Sequence, residues 1–161
     1  MNSQYIKNME LIKLSEIMMK YWDHNGWVPP SQEWAYKLAI LLRDSMTLLK
    51  DSIDQSKPFF SIPTIQKEGQ DFLEKKDTKL SLKLILNYLI EQNTIKINKE
   101  KAKEIINEIS KMHNIKKGIL MKSLRVAFFG SLSGPDLIQS WELFSESKTD
   151  RSRIERCLKS I

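Results

Sequence analysis

The stretch KKGILMKSLRVAFFGSLSGPDL, residues 116–137, holds three of the chain's five glycines and reads as a helix, a short loop and the start of a second helix. At 100° per residue, Leu120, Leu124, Ala127 and Phe128 share one face with Met121 beside it, the stripe expected to face a core. The opposite face carries Lys122, Arg125, Val126 and Phe129. Lys122 and Arg125 are neighbours three residues apart, and Phe129 lies one turn beyond Arg125. Gly130 is placed to end the helix in the left-handed conformation. Gly134-Pro135 suits a new helix with proline at its first position, and Asp136 favours that positive end. The same carboxylate would repel a phosphate there, so a tight turn presenting backbone groups to a base is the better expectation than an anion cradle.

Two cations beside an aromatic ring, just before a glycine-bounded loop, can serve single-stranded RNA. Unpaired bases stack on rings or guanidinium planes, and arginine grips base edges or phosphates with its fork. The same spacing also fits a solvated basic face with Phe129 covered by the following loop. Charge points the same way as the RNA reading. Of the net +6, residues 101–161 hold 12 basic against 7 acidic side chains, whereas residues 1–100 are nearly balanced at 14 against 13. A basic C-terminal third suits a polyanion whose counterions lysine and arginine release, although basic sequence also simply aids solubility.

Outward from this stretch, apolar residues recur at helical spacing and no segment alternates with a period of two, so the fold class expected is all-α. A helix is predicted over about 9–25 on Leu11, Leu14, Ile17, Met18 and Tyr21, broken by Gly26 and Pro29-Pro30. Ser31 then caps a second helix running to about Gln55, with Pro58 ending it and Phe59-Phe60 following as an apolar plug. Shorter helices are predicted at about 65–76, 80–92 and 99–112, the last capped by Asn98. Residues 1–66 are read as a first helical subdomain and 80–161 as a second, containing the basic helix-loop-helix 116–146. The polar run KEGQDFLEKKDTK, 67–79, is either the boundary between them or a solvated helix with its loop.

Several function classes fall away. Cys157 is the only cysteine, which excludes an intramolecular disulfide and a cysteine-based zinc site. No apolar run approaches the roughly 20 residues of a membrane span. The opening MNSQYIKNMELIK lacks the hydrophobic core of a signal peptide, so a cytoplasmic setting is expected, with an organelle of bacterial ancestry as the alternative. His24 and His113 sit near predicted helix ends without a partnering base, acid or metal ligand. The carboxylate pairs Asp51/Asp54 and Glu104/Glu108 fit solvated helical faces. No catalytic residue, metal site or cofactor is expected in these 161 residues.

The run G-x-L-M-x-x-L-R-x-A-x-x-G-x-x-x-G-P-x-L at 118–137 resembles the signature of bacterial glutamyl-tRNA synthetases in their anticodon-binding region. RIERCL at 153–158 resembles the family's closing amphipathic helix. NSQYIKNM at 2–9 is similar to its entry into that region, most in the cyanobacterial or plastid branch. LLRDSMTLLKDSIDQSKPFF at 41–60 fits its second helix and loop. The likeness spans nearly the whole chain, strong at 118–137 and loose at 61–112. It implies an all-α cage of two helical subdomains that receives the anticodon loop of glutamate tRNA, acting as a monomer for a catalytic domain of the same synthetase. ATP would belong to that catalytic domain. The arginine that contacts the anticodon falls on Arg125, and the second contact stretch on Gly134, Pro135 and Leu137. A basic residue that rejects the glutamine anticodon in some members aligns with either Arg43 or Ser45. Departures are Phe128-Phe129, where shorter residues are common, and Ser145-Glu146 in place of Leu-Gly. No H-I-G-H-like or K-M-S-K-S-like catalytic element occurs.

On the RNA-binding reading Arg125 would pair with an anticodon base, Lys122 would hold backbone phosphate, Phe129 would offer its ring, and Gly134, Pro135 and Leu137 would shape the pocket wall. A rival from another class is a helical protein-interaction or regulatory module related to that domain. An exposed patch at Trp22 and Trp27 would favour the rival, because aromatic anchors mark protein interfaces.

Overall fold

The computed structural model describes residues 10–46, 51–92 and 96–161, and every regular element among them is an α-helix. They are α1 Leu11–His24, α2 Gln32–Arg43, α3 Asp51–Phe60, α4 Lys67–Leu73, α5 Thr78–Glu91, α6 Lys99–His113, α7 Lys117–Phe129, α8 Leu137–Glu146 and α9 Asp150–Lys159. The segment NSQYIKNM and the apolar pair Leu48 and Leu49 lie outside the described residues. The chain divides into two units, Met1–Ser61 and Ile62–Ile161.

In the first unit, α1 turns Leu14, Met18 and Trp22 toward α2, which answers with Trp34, Leu38 and Leu42; all six are buried. Ser31 caps α2 as its sequence suggests, its hydroxyl accepting from Trp34 N at 3.1 Å. The predicted single helix to Gln55 is interrupted: α2 stops at Arg43, and α3 begins at Asp51. Beyond the break, the Gln55 Nε2 donates to Ser45 O at 3.2 Å and its Oε1 accepts from the Ser45 hydroxyl at 2.7 Å. Pro58 does not end the second stretch either, because it sits inside α3. An interior proline forfeits a helical hydrogen bond. Here the continuing turn delivers Phe59 to the core and Phe60 into a cluster of rings. Phe60 stacks on Trp27 at 5.3 Å and meets Trp22 and Trp34 at 5.2 Å each. Trp22 is fully buried, so it forms no exposed aromatic patch with Trp27.

In the second unit, α7 is the central helix, packed against α4, α5, α6, α8 and α9. Asn98 caps α6, accepting from Lys101 N at 2.8 Å. Ile105, Ile106 and Ile109 of α6 enter the same core as Leu82, Ile85 and Leu89 of α5. The polar run 67–79 carries α4 and the turn into α5. It lies wholly in this unit, because Gly69, Phe72 and Leu73 are buried while the intervening polar residues stay exposed. Ser145, where Leu is usual in the resembling family, is also buried and uses its hydroxyl to accept from Ile97 N at 2.7 Å.

Candidate nucleic-acid interface

Because α7 is enclosed on several sides, its C-terminal half is buried almost all round. Leu120, Leu124, Ala127 and Phe128 face the core as their spacing predicts, but Val126 and Phe129 are buried too. The expectation that Phe129 offers its ring to a base is therefore corrected. The ring is 7% exposed and lies against Phe144 at 5.6 Å between centroids. A stripe argument with one core face fails for a helix that neighbours cover on several sides. On this part of α7, Lys122 remains exposed and Arg125 half-exposed.

Gly130 ends α7 at φ 76°, with its N–H donating to Val126 O at 2.8 Å. Its carbonyl accepts from Gln66 N at 2.8 Å. The segment before α4 passes so close that a Cβ on Gly130 would collide with the Thr64 carbonyl. The loop from Ser131 to Asp136 is then braced residue by residue. Leu132 N donates to Glu68 Oε1 at 3.2 Å, and the Ser131 hydroxyl donates to Ser133 O at 3.0 Å. Gly134, at φ 155°, lies over the face of Phe129, where an added Cβ would stand 3.1 Å from the ring. Phe129 thus supports the loop from below.

Arg125 closes the arrangement. Its Nη1 donates to Pro135 O at 2.9 Å, which ties α7 to the turn ahead of α8. Helix α8 starts two residues later than its sequence suggests. Pro135 precedes the helix, and Asp136 is its cap, accepting from Gln139 N at 2.9 Å. The acidic cap takes one of the N–H groups that an anion would need, and its own charge opposes an anion there. Leu137 is corrected from pocket wall to core, because it is 1% exposed. Lys122, Arg125, Gly134 and Pro135 do come together on one helix and its following loop, with Gly134 exposed and Pro135 half-exposed.

Arg43 and Ser45 belong to the first unit. Arg43 is half-buried in the last turn of α2, and its Nε is buried without a hydrogen-bond partner among the described residues. The exposed Ser45 has its hydroxyl within 2.9 Å of Leu42 O as well as near Gln55.

Two features escaped the sequence. Glu68, read as part of a polar run, is the brace of the 131–136 loop. Arg153 is 1% exposed, although it belongs to a helix read as ordinarily amphipathic. A signal for it existed: Asp150, Arg153, Ile154 and Cys157 follow i, i+3, i+4, i+7, which puts both charges in the buried stripe. Burial lowers the guanidinium pKa to about 10 and raises that of the Cys157 thiol to about 11. Among the described residues, no group of His, Cys, Asp or Glu could hold a metal ion, and no helix is long and apolar enough to cross a membrane.

Comparison with known proteins places this geometry. A family model described as an anticodon binding domain matches residues 13–158. A glutamate–tRNA ligase of Prochlorococcus marinus strain MIT 9301 is 88% identical over 157 residues, covering 98% of this chain and 33% of that protein. A glutamate–tRNA ligase of strain NATL2A is 44% identical over 158 residues. The crystal structure of a glutamate tRNA ligase from Elizabethkingia meningosepticum superposes with a TM-score of 0.87 at 23% identity, over 99% of this chain and 31% of that one, a likeness of fold. The chain spans about a third of the length of the curated relatives it matches. With nearly its whole length matched by one family model, and with the helical fold to go with it, the chain belongs to the anticodon binding domain family.

Proposed function

We propose that this chain is the anticodon-binding part of a glutamate–tRNA ligase, that it grips the anticodon loop of glutamate tRNA, and that the ligase reaction with its ATP belongs to a catalytic part outside these 161 residues. The observation that carries the reading is Arg125. It is the arginine of the L-R-x-A motif, half-exposed beside a loop braced at Gly130, Leu132 and Pro135. One edge of its guanidinium is spent on Pro135 O, which fixes the plane and leaves other N–H groups for a base edge. A pre-positioned fork loses less entropy on binding than a free one. Lys122, exposed one turn earlier and without an ion pair among the described residues, adds a point charge for a phosphate.

With Phe129 buried, base stacking by that ring is not part of the mechanism. Recognition falls to the Arg125 fork and to the exposed backbone around Gly134. Arg43 stands as the candidate for rejecting a competing anticodon, with Ser45 the alternative. A cytoplasmic monomer joined to its own catalytic part is the setting that goes with this reading. The exposed Trp22 and Trp27 patch that would favour the rival interaction module is absent among the described residues, since Trp22 is enclosed.

Arg125→Ala should weaken binding to glutamate tRNA by about 1–3 kcal/mol and narrow the difference between its anticodon and a swapped one. Lys122→Ala should weaken both tRNAs equally and lower the salt slope by about 1. Filter-binding titrations at several salt concentrations check both. Equal losses on every RNA for Arg125→Ala would remove it from base recognition.

A further inference from the structure

On the second unit, a cleft of about 230 Å³ opens between the segment 62–65, Gln70 of α4, Ala127 of α7 and the α9 side chains Arg153, Arg156 and Cys157. Its lining contains two guanidinium groups and no carboxylate. Arg153 is the unusual member. A buried cation is ordinarily paired with an acid, because desolvation is otherwise uncompensated. Arg153 has no acidic partner among the described residues. Its Nε donates to the Thr149 hydroxyl at 3.1 Å and its Nη1 to Phe128 O at 3.1 Å. The guanidinium carbon lies 3.9 Å from the centroid of the Phe144 ring. Carbonyl, hydroxyl and ring are neutral groups that orient the cation without cancelling its charge. Its Nη2 has no hydrogen-bond partner among the described residues.

Arg156 stands three residues on, nearly one turn along α9, exposed, with Nη1 donating to Ile62 O at 3.1 Å. That bond holds the guanidinium at the cleft mouth rather than out in solvent. Burial alone, with no opposing charge to offset it, depresses the Arg153 pKa, and even at about 10 the group stays cationic at neutral pH. We propose that this cleft is a phosphate-binding site, in which Arg153 and Arg156 hold one phosphate group between α9 and the segment 62–65. The volume admits such an ion with accompanying water, and two forks match phosphate oxygens better than a single point charge would. The site is separate from the Arg125 loop, and it does not depend on that loop's proposed role.

Cys157 lines the cleft, is the chain's only thiol and is 2% exposed, so its alkylation follows opening of the cleft and slows when a bound ion holds α9 against the segment 62–65. The first arm alkylates the whole chain with neutral iodoacetamide, in inorganic phosphate and in chloride at matched ionic strength. Phosphate is expected to slow modification of Cys157 severalfold and to raise the melting temperature. Arg156→Gln should lose most of that response, while Lys159→Gln, an exposed charge outside the lining, should keep it. Equal alkylation in phosphate and chloride by the unaltered chain overturns the proposal, whatever the variants do. So does protection that survives Arg156→Gln undiminished. A second arm, used once phosphate protects, replaces it with a short RNA hairpin. Protection that again needs Arg156 identifies the source as RNA backbone. Protection by inorganic phosphate alone identifies a small free anion.

Discussion

Gly130→Ala should destabilise the second unit by about 3 kcal/mol, more than most exposed-loop changes. The left-handed backbone at φ 76° costs an L residue about 1–2 kcal/mol. The added Cβ also meets the Thr64 carbonyl, a backbone atom that cannot swing aside as a side chain would. Relief requires the segment 64–66 to retreat, which breaks the bond from Gln66 N to Gly130 O and forfeits about 1 kcal/mol more. Gly69 marks the same crowding, since a Cβ added there would stand 2.8 Å from the Gly130 carbonyl oxygen. Urea unfolding followed by circular dichroism measures the loss. An effect below about 1 kcal/mol would mean that the close approach of these backbones is not a constraint. Because Gly130 aims the loop that follows it, the variant should also weaken tRNA binding at temperatures where it is still folded.

Trp34→Ala should cost about 3–5 kcal/mol in the first unit, the usual range for emptying a buried aromatic site. The indole is 1% exposed and meets both Phe60 and Trp22, at 5.2 and 6.4 Å between centroids. Neither neighbour collapses easily into the space, because Phe60 is also held against Trp27. Trp34→Phe keeps a ring in place and should lose markedly less. Guanidinium unfolding of both variants compares them, and equal losses would point to bulk hydrophobicity rather than ring packing.

These two positions also show what could be read before the fold was known. Trp34 and its Ser31 cap follow from local chemistry: an apolar spacing behind proline, opened by a hydroxyl residue. Gly130 is legible as a helix stop for the same reason. The Thr64 carbonyl against it is not, because that contact joins residues 66 positions apart with no pattern of their own. The break between α2 and α3 was hidden similarly. Residues 31–55 keep a helical period, so nothing in the spacing marks the stop of α2 at Arg43. At the candidate site, Lys122 and Arg125 stand open as their spacing suggests. Phe129 and Leu137 were misplaced because α7 and α8 are enclosed from more directions than one periodic stripe can express. The braces of the loop, Glu68 and Phe129, act across tertiary contacts and leave no local trace.

The central claim is that the braced loop and Arg125 read an anticodon. Binding of this chain to glutamate tRNA, and to the same tRNA with its anticodon exchanged, tests that claim most directly at low and physiological salt. Tighter binding to the glutamate anticodon, preserved as salt weakens both complexes, is the predicted result. Salt-sensitive binding that treats the two tRNAs alike, by a chain shown to be folded, would contradict it.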